Sequence, residues 1–171
     1  MVIIVVGNIG IGKTTVCEKA LKVLQHAGYT CGGILTYRVG NESRTVLDVR
    51  TGASKVFAST EDIYDGPRFG KYFFNPEGIE FGLKAIEEGV TSDVLFVDEI
   101  GYLELSDRGF AKALELVKAQ KVKNSVLVIR EQLLNAFLAK ISENPRILKV
   151  TTDNRNKLAE KIYLSLAGTP Q

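Results

Sequence analysis

Residues 7–14 read Gly7-Asn8-Ile9-Gly10-Ile11-Gly12-Lys13-Thr14 and match the G-x-x-x-x-G-K-[ST] pattern in full. The chemistry such a run supports is the grip of phosphate groups. Glycines let the backbone wrap tightly, so several N–H groups aim at one anion, and a helix starting at the loop's end adds its favourable field. In this pattern Lys13 reaches the outer phosphates and Thr14 offers its hydroxyl to Mg²⁺. Thr15 follows at the helix start, within reach of the outer phosphate. The G-x-G-x-x-G fingerprint of dinucleotide sites is absent here, which argues against a nicotinamide cofactor.

A second half-site lies in Asp93-Val94-Leu95-Phe96-Val97-Asp98-Glu99. Four apolar residues lead to an acid where a strand should leave the sheet, the place from which a carboxylate holds Mg²⁺ directly or through water. Asp98 takes the metal role. Glu99 beside it can accept a proton from an attacking water. The adjacent pair therefore favours hydrolysis over transfer to a second substrate. Glu104, five residues on, is open to several readings: an acid supporting the site, a competing base, an anchor for a loop, or a solvated surface carboxylate.

Negative charge growing on a transferred phosphoryl group calls for cations beyond Lys13. Of eight arginines, Arg130 stands directly after the apolar run Val126–Ile129, at the carboxyl end of an expected central strand where ligands gather. It is the first choice, and Arg68, in a glycine–proline loop, the second; a surface salt bridge is the alternative for each. The N-K-x-D guanine signature is absent, so broad base tolerance is expected. Thr151–Arg155 either borders the base or caps a helix.

These residues need a scaffold. Val2–Val6, Val94–Val97, Val126–Ile129 and, more weakly, Ile147–Val150 are short, β-branched and apolar on both faces, as strands covered on two sides should be. Helical spacing predicts helices over Lys13–Ala27, from the Asn75–Pro76 cap to Gly89, over Asp107–Ala119, over Glu131–Lys140, and from Asp153 or Asn154 onward. Between Cys31 and Phe74 the texture changes. Gly33–Val39, Thr45–Arg50, Lys55–Ala58 and Lys71–Phe74 read as short strands punctuated by Gly40–Asn41, Gly52 and Gly66–Pro67. The expectation is one α/β domain over 1–171, a three-layer sandwich with a mainly parallel sheet, and an antiparallel β ribbon inserted over 33–74. The ribbon either covers a sheet edge or walls a substrate cleft.

Composition narrows the field further. The chain has 171 residues, 45% hydrophobic and 25% charged, which excludes a disordered or collagen-like polymer. Lys plus Arg is 22 against 20 acids, so bulk charge gives no case for a nucleic-acid partner. Cys17 and Cys31 are too few for a disulfide scaffold or a four-cysteine zinc site, and read as buried thiols. The one histidine, His26, rules out a His-rich metal centre and is explained by the end of the first helix. No run approaches the roughly 18 apolar residues of a membrane span, and Met1–Val6 lacks the features of a signal peptide. A cytoplasmic protein without a membrane partner is expected.

Taken together and in order, Gly7–Thr15, Gly32–Arg38, Arg68–Tyr72, Asp98–Leu105 and Thr152–Asn156 resemble the THEP1 family, small nucleoside-triphosphatases of thermophilic prokaryotes with relatives in animals. The resemblance covers nearly the whole chain, and Asp98-Glu99-Ile100-Gly101 with its downstream Glu104 is its specific part. It implies a phosphate-loop NTPase fold and Mg²⁺-dependent hydrolysis of nucleoside triphosphates, with broad base tolerance and slow turnover. It implies roles in phosphate and metal binding for Lys13 and Thr14, and in metal binding and water activation for Asp98 and Glu99. Two other functions fit the motifs: a small-molecule or nucleoside kinase, and a non-enzymatic nucleotide-dependent interaction module.

Overall fold

The computed structural model describes residues 1–141 and 144–168. Along the chain run β1 (Val2–Gly7), α1 (Lys13–His26), β2 (Cys31–Val39), β3 (Ser43–Asp48), β4 (Ser54–Ser59), β5 (Arg68–Phe69), β6 (Tyr72–Phe74), α2 (Pro76–Gly89), β7 (Val94–Ile100), α3 (Tyr102–Leu105), α4 (Lys112–Lys118), β8 (Ser125–Arg130), α5 (Leu134–Leu138), β9 (Arg146–Lys149) and α6 (Leu158–Ala167). Among the described residues they build one sheet in the order β5-β6-β4-β3-β2-β7-β8-β1-β9. From β2 to β9 neighbouring strands are parallel; from β2 to β5 they are antiparallel.

Period-two alternation divides the apolar runs between two cores. Ile3 and Val5 of β1 point, with Phe96 and Val128, to the side covered by Val16, Ala20 and Leu24 of α1 and Leu158 and Ile162 of α6. Val2, Ile4 and Val6 point the other way, with Val97 and Leu127, to Ile86 of α2, Leu114 of α4 and Phe137 of α5. The result is the expected three-layer α/β arrangement. Asn75 caps α2 by accepting from the Glu77 N–H, and its amide donates to the Val56 carbonyl, which fixes α2 against β4.

The antiparallel ribbon stands beside the parallel strands as an extension of the same sheet, and its first strand is shared. Cys31–Ile34 of β2 pair in parallel with Val94–Val97, while Ile34–Val39 pair antiparallel with β3. Gly33 makes the switch possible. Its φ is +91°, and a Cβ there would lie 2.0 Å from the Phe96 carbonyl oxygen.

Three helices start later or run shorter than their periodicity suggested. Asp107 and Gly109 adopt left-handed backbone, so α4 begins only at Lys112. Residues 131–133 form a 3₁₀ turn before the five-residue α5. Thr151–Lys157 are spent on turns, with the Asn154 side chain accepting from the Thr151 N–H, and α6 starts at Leu158. The last strand is also less buried than its apolar run implied. β9 is an edge strand, and Ile147 is exposed.

Candidate active site

The carboxyl ends of β1, β7, β8 and β2 meet at one edge of the sheet, and the sequence-predicted residues gather there. After β1, Gly10 and Gly12 take positive φ, +77° and +105°, and α1 starts at Lys13 without a side-chain cap. The first N–H groups of α1 thus have no side-chain cap, the arrangement a phosphate-loop helix requires. Lys13 Nζ donates to the carbonyls of Gly7 and Asn8, both at 2.8 Å, folding the ammonium over its own loop.

Thr14 reaches across the sheet to the acid. Its Oγ1 donates to Asp98 Oδ2 at 2.7 Å, although the residues are 84 positions apart in sequence. Asp98 is only 3% exposed. The same carboxylate oxygen accepts from the backbone N–H and the hydroxyl of Thr36, each at 3.3 Å. Two hydroxyls and an amide thus hold a buried charge that would otherwise be costly. Thr36 lies in the Gly32–Arg38 stretch of the resemblance, but only the pairing of β2 with β7 brings it to the acid.

A cavity of about 330 Å³ opens over these groups, lined in part by Gly12, Lys13, Thr14, Thr36 and Asp98. Arg130 lines it too. Strand β8 lies between β1 and β7, with Arg130 in register with Gly7, so the arginine stands between the loop and the acid strand. Two further cations, Arg38 on β2 and Arg44 on β3, line the same space. Arg68 does not; it lies exposed in β5 with its guanidinium 5.1 Å from the Phe73 ring centre. Thr15 lines a neighbouring cavity with Gly12, Lys19, Arg155 and Asn156, which brings part of the 152–156 segment to the loop.

Glu99, the expected general base, lies in β7, and its side chain is outside the described residues. Glu104 is a loop anchor in this structure. It is 4% exposed, and its carboxylate accepts from the N–H groups of Gly101 (2.8 Å) and Phe110 (3.0 Å). The two cysteines are buried and free, and desolvation pushes both thiols up, Cys31 to about 11. Neither suits a nucleophile's role.

The donor set around Thr14 and Asp98 fits Mg²⁺. Both present hard oxygen atoms, and no group of three or more His, Cys, Asp or Glu side chains competes as a metal cage among the described residues. Mg²⁺ is ordinarily held by one or two carboxylates together with waters and substrate phosphates.

A phosphate loop at the start of α1, a buried acid at the end of a parallel strand and a cation-rich cavity between them define a phosphate-loop nucleotide-binding protein of the α/β class. The comparisons give the particular family. The family model described as NTPase matches residues 2–163, and the chain belongs to that family, the THEP1 nucleoside-triphosphatases among its relatives. It is 31% identical to the nucleoside-triphosphatase THEP1 of Methanosarcina barkeri, with 94% of each chain covered. It is also 31% identical to that of Methanopyrus kandleri, over 94% of this chain and 92% of the relative. The crystal structure of THEP1 from the hyperthermophile Aquifex aeolicus superposes with a TM-score of 0.77 at 23% identity, over 98% of this chain and 100% of that one, which establishes the common fold. Among the described residues no helix is long and apolar enough to cross a membrane.

Proposed function

We infer that the protein hydrolyses nucleoside 5′-triphosphates to diphosphate and phosphate, with Mg²⁺ and with little discrimination between bases. The observation that carries the reading is the 2.7 Å contact of Thr14 Oγ1 with Asp98 Oδ2, which joins the phosphate loop to the acidic strand end inside one cavity. The loop amides of Gly7–Thr15 hold the phosphates, and Lys13 leaves its two carbonyl partners for the outer phosphate oxygens. Thr14 and Asp98 hold the metal. Once bound, Mg²⁺ offsets charge on the phosphate oxygens and orients them. Arg130 stabilises the charge that develops on the transferred group, with Arg38 and Arg44 adding to the positive field. Glu99, next to Asp98 in sequence, takes the proton of the attacking water. The free thiols suit a reducing cytoplasm.

Base tolerance is inferred from the sequence, which has no guanine signature. A phosphate-release panel over the four ribonucleoside triphosphates, with magnesium and with excess chelator, tests the reading. Release should depend on the metal, and the specificity constants should lie within about 100-fold, or about 3 kcal/mol, of one another. Single-stranded nucleic acid should leave the rates unchanged. Metal-independent release, or a much larger preference for one base, would overturn it.

A further inference from the structure

Beside the phosphate cavity lies a second cavity of about 220 Å³ with a different chemistry. Its walls are aromatic and aliphatic. Phe57, Tyr72 and Phe74 come from the antiparallel strands, Ile79 from α2, and Tyr102 and Phe110 from the segment after β7. A dry cavity of about 150 Å³ with such walls is enough to take benzene. This one suits one or two fused rings.

The mouth is cationic. Arg44, Lys71 and Arg130 border the cavity, and Arg44 and Arg130 border the phosphate cavity as well. The guanidinium of Arg44 and the ammonium of Lys71 lie 5.1 and 5.3 Å from the Tyr72 ring centre. Burial pushes the Tyr72 phenol up, but its hydrogen bond with Arg44 and the charges of Arg44, Lys71 and Arg38 outweigh this and hold it below its ordinary value. Glu104, the carboxylate in the wall, accepts from two backbone amides. Phe69 and Tyr102 stack across the rim at 5.4 Å between ring centres, and both are more than one third exposed. An aromatic body suits the walls, and an anionic group suits the mouth.

We propose that this cavity is a second small-molecule site, taking a flat one- or two-ring aromatic body with its anionic group on Arg44 and Arg130, and that its occupant slows turnover by drawing those shared arginines from the transferred phosphoryl group. The slowing rests on the hydrolytic reading above; the site itself does not. The ligand class is an aromatic carboxylate, sulfonate or phosphate ester.

Calorimetric titration with naphthalene sulfonate, and in parallel with the neutral naphthalene methanol, tests the site on the whole protein. One sulfonate should bind per chain, about tenfold or more tighter than the neutral compound. Ile79→Trp, which fills the chamber, should weaken sulfonate binding about tenfold or more, and Phe69→Ala, at the exposed lip, about threefold or more. At saturating triphosphate the sulfonate should lower kcat about threefold or more in the parent protein and leave folded I79W unaffected. Equal binding of the two compounds, or undiminished sulfonate binding in folded F69A and I79W, overturns the site. Binding as expected with kcat unchanged overturns the coupling. Absence of any triphosphate hydrolysis overturns the functional reading, and the titrations still decide the site.

Discussion

Arg38 and Arg44 stand directly opposite each other on the antiparallel pair β2–β3, and both line the phosphate cavity. Like charges in facing positions of a sheet repel, at a cost of about 0.2–1 kcal/mol. An anion bound between them attracts both and offsets that repulsion. Arg44→Gln should relieve that repulsion at the expense of the contacts of Arg44 with Tyr72. It should weaken binding of a non-hydrolysable triphosphate by about 10-fold to 100-fold, the range of a charge-assisted hydrogen bond. Thermal melts with and without the analogue measure both. A protein less stable when empty and unchanged in affinity would make Arg44 a packing partner of Tyr72 and nothing more.

The loop and the acid should fail in separable ways. Lys13 Nζ donates to carbonyls of its own loop, so Lys13→Ala should keep the fold and nearly abolish phosphate release. Thr14→Val removes a donor from the buried Asp98 carboxylate. It should cost about 1–3 kcal/mol in chemical denaturation without nucleotide, whereas Thr14→Ser should restore the parent value. Asp98→Asn should weaken magnesium-dependent nucleotide binding as well as turnover. Normal magnesium dependence in D98N would remove Asp98 from the metal site.

Acid stability should depend on a group remote from the chemistry. Asp93, ahead of β7, accepts from Lys123 Nζ (2.7 Å) and from the Thr30 N–H (3.0 Å) and hydroxyl (2.8 Å), joining the starts of three neighbouring strand regions. The Lys123 hydrogen bond first, then those of Thr30, hold its carboxyl well below the usual carboxylate range. The folded state thus binds this proton less readily than the unfolded chain, whose value is about 3.9. The contribution is present above about pH 4 and is lost as the pH falls through that value toward the folded one. Urea midpoints measured from neutral pH down to about pH 3 should fall more steeply for the parent than for Asp93→Asn. Parallel slopes would show that Asp93 carries no linked stability.

What could be read from the sequence was local. Gly7–Thr14 with its flanking strand and helix, and Asp98 at the end of an apolar run, are contiguous patterns, and the structure brings them within hydrogen-bonding distance. Arg130 was legible for the same reason, as the residue ending a strand. Thr36 and Arg38 stand in a stretch that the resemblance covers, yet their place at the site, like that of Arg44, depends on register. Centring the Gly40–Asn41 turn on Asn41 would have put Arg38 opposite Arg44, but nothing local says that β2 also joins the parallel sheet. The segment after β7 holds a shorter helix than its periodicity predicts, because periodicity does not register left-handed residues. Asp107 and Gly109 bend the chain there, and the amides of Gly101 and Phe110 close on Glu104.

That bend separates the two glutamates in experiment. Glu104 holds the loop between β7 and α4 through two amides, a structural task. Gln in its place keeps one carbonyl acceptor but turns an NH₂ toward a backbone N–H. Glu104→Gln should therefore lower stability by about 1.5–3 kcal/mol, the scale of hydrogen bonds to a charged group. Glu99→Gln removes only the oxygen that would take a proton from water. It should bind magnesium–nucleotide normally and slow single-turnover phosphate release by about 10²–10⁴-fold, the usual contribution of a general base. The two variants are compared by denaturation, by calorimetric titration of the nucleotide analogue, and by rapid-quench phosphate release at several pH values. In E104Q the residual rate should keep the parent's pH profile, since the base is still present. In E99Q the limb of the profile that reports the base should disappear. A stable E104Q that binds nucleotide but has lost that limb would transfer the base role to Glu104. An E99Q protein that loses binding and turnover together would place Glu99 with Asp98 at the metal.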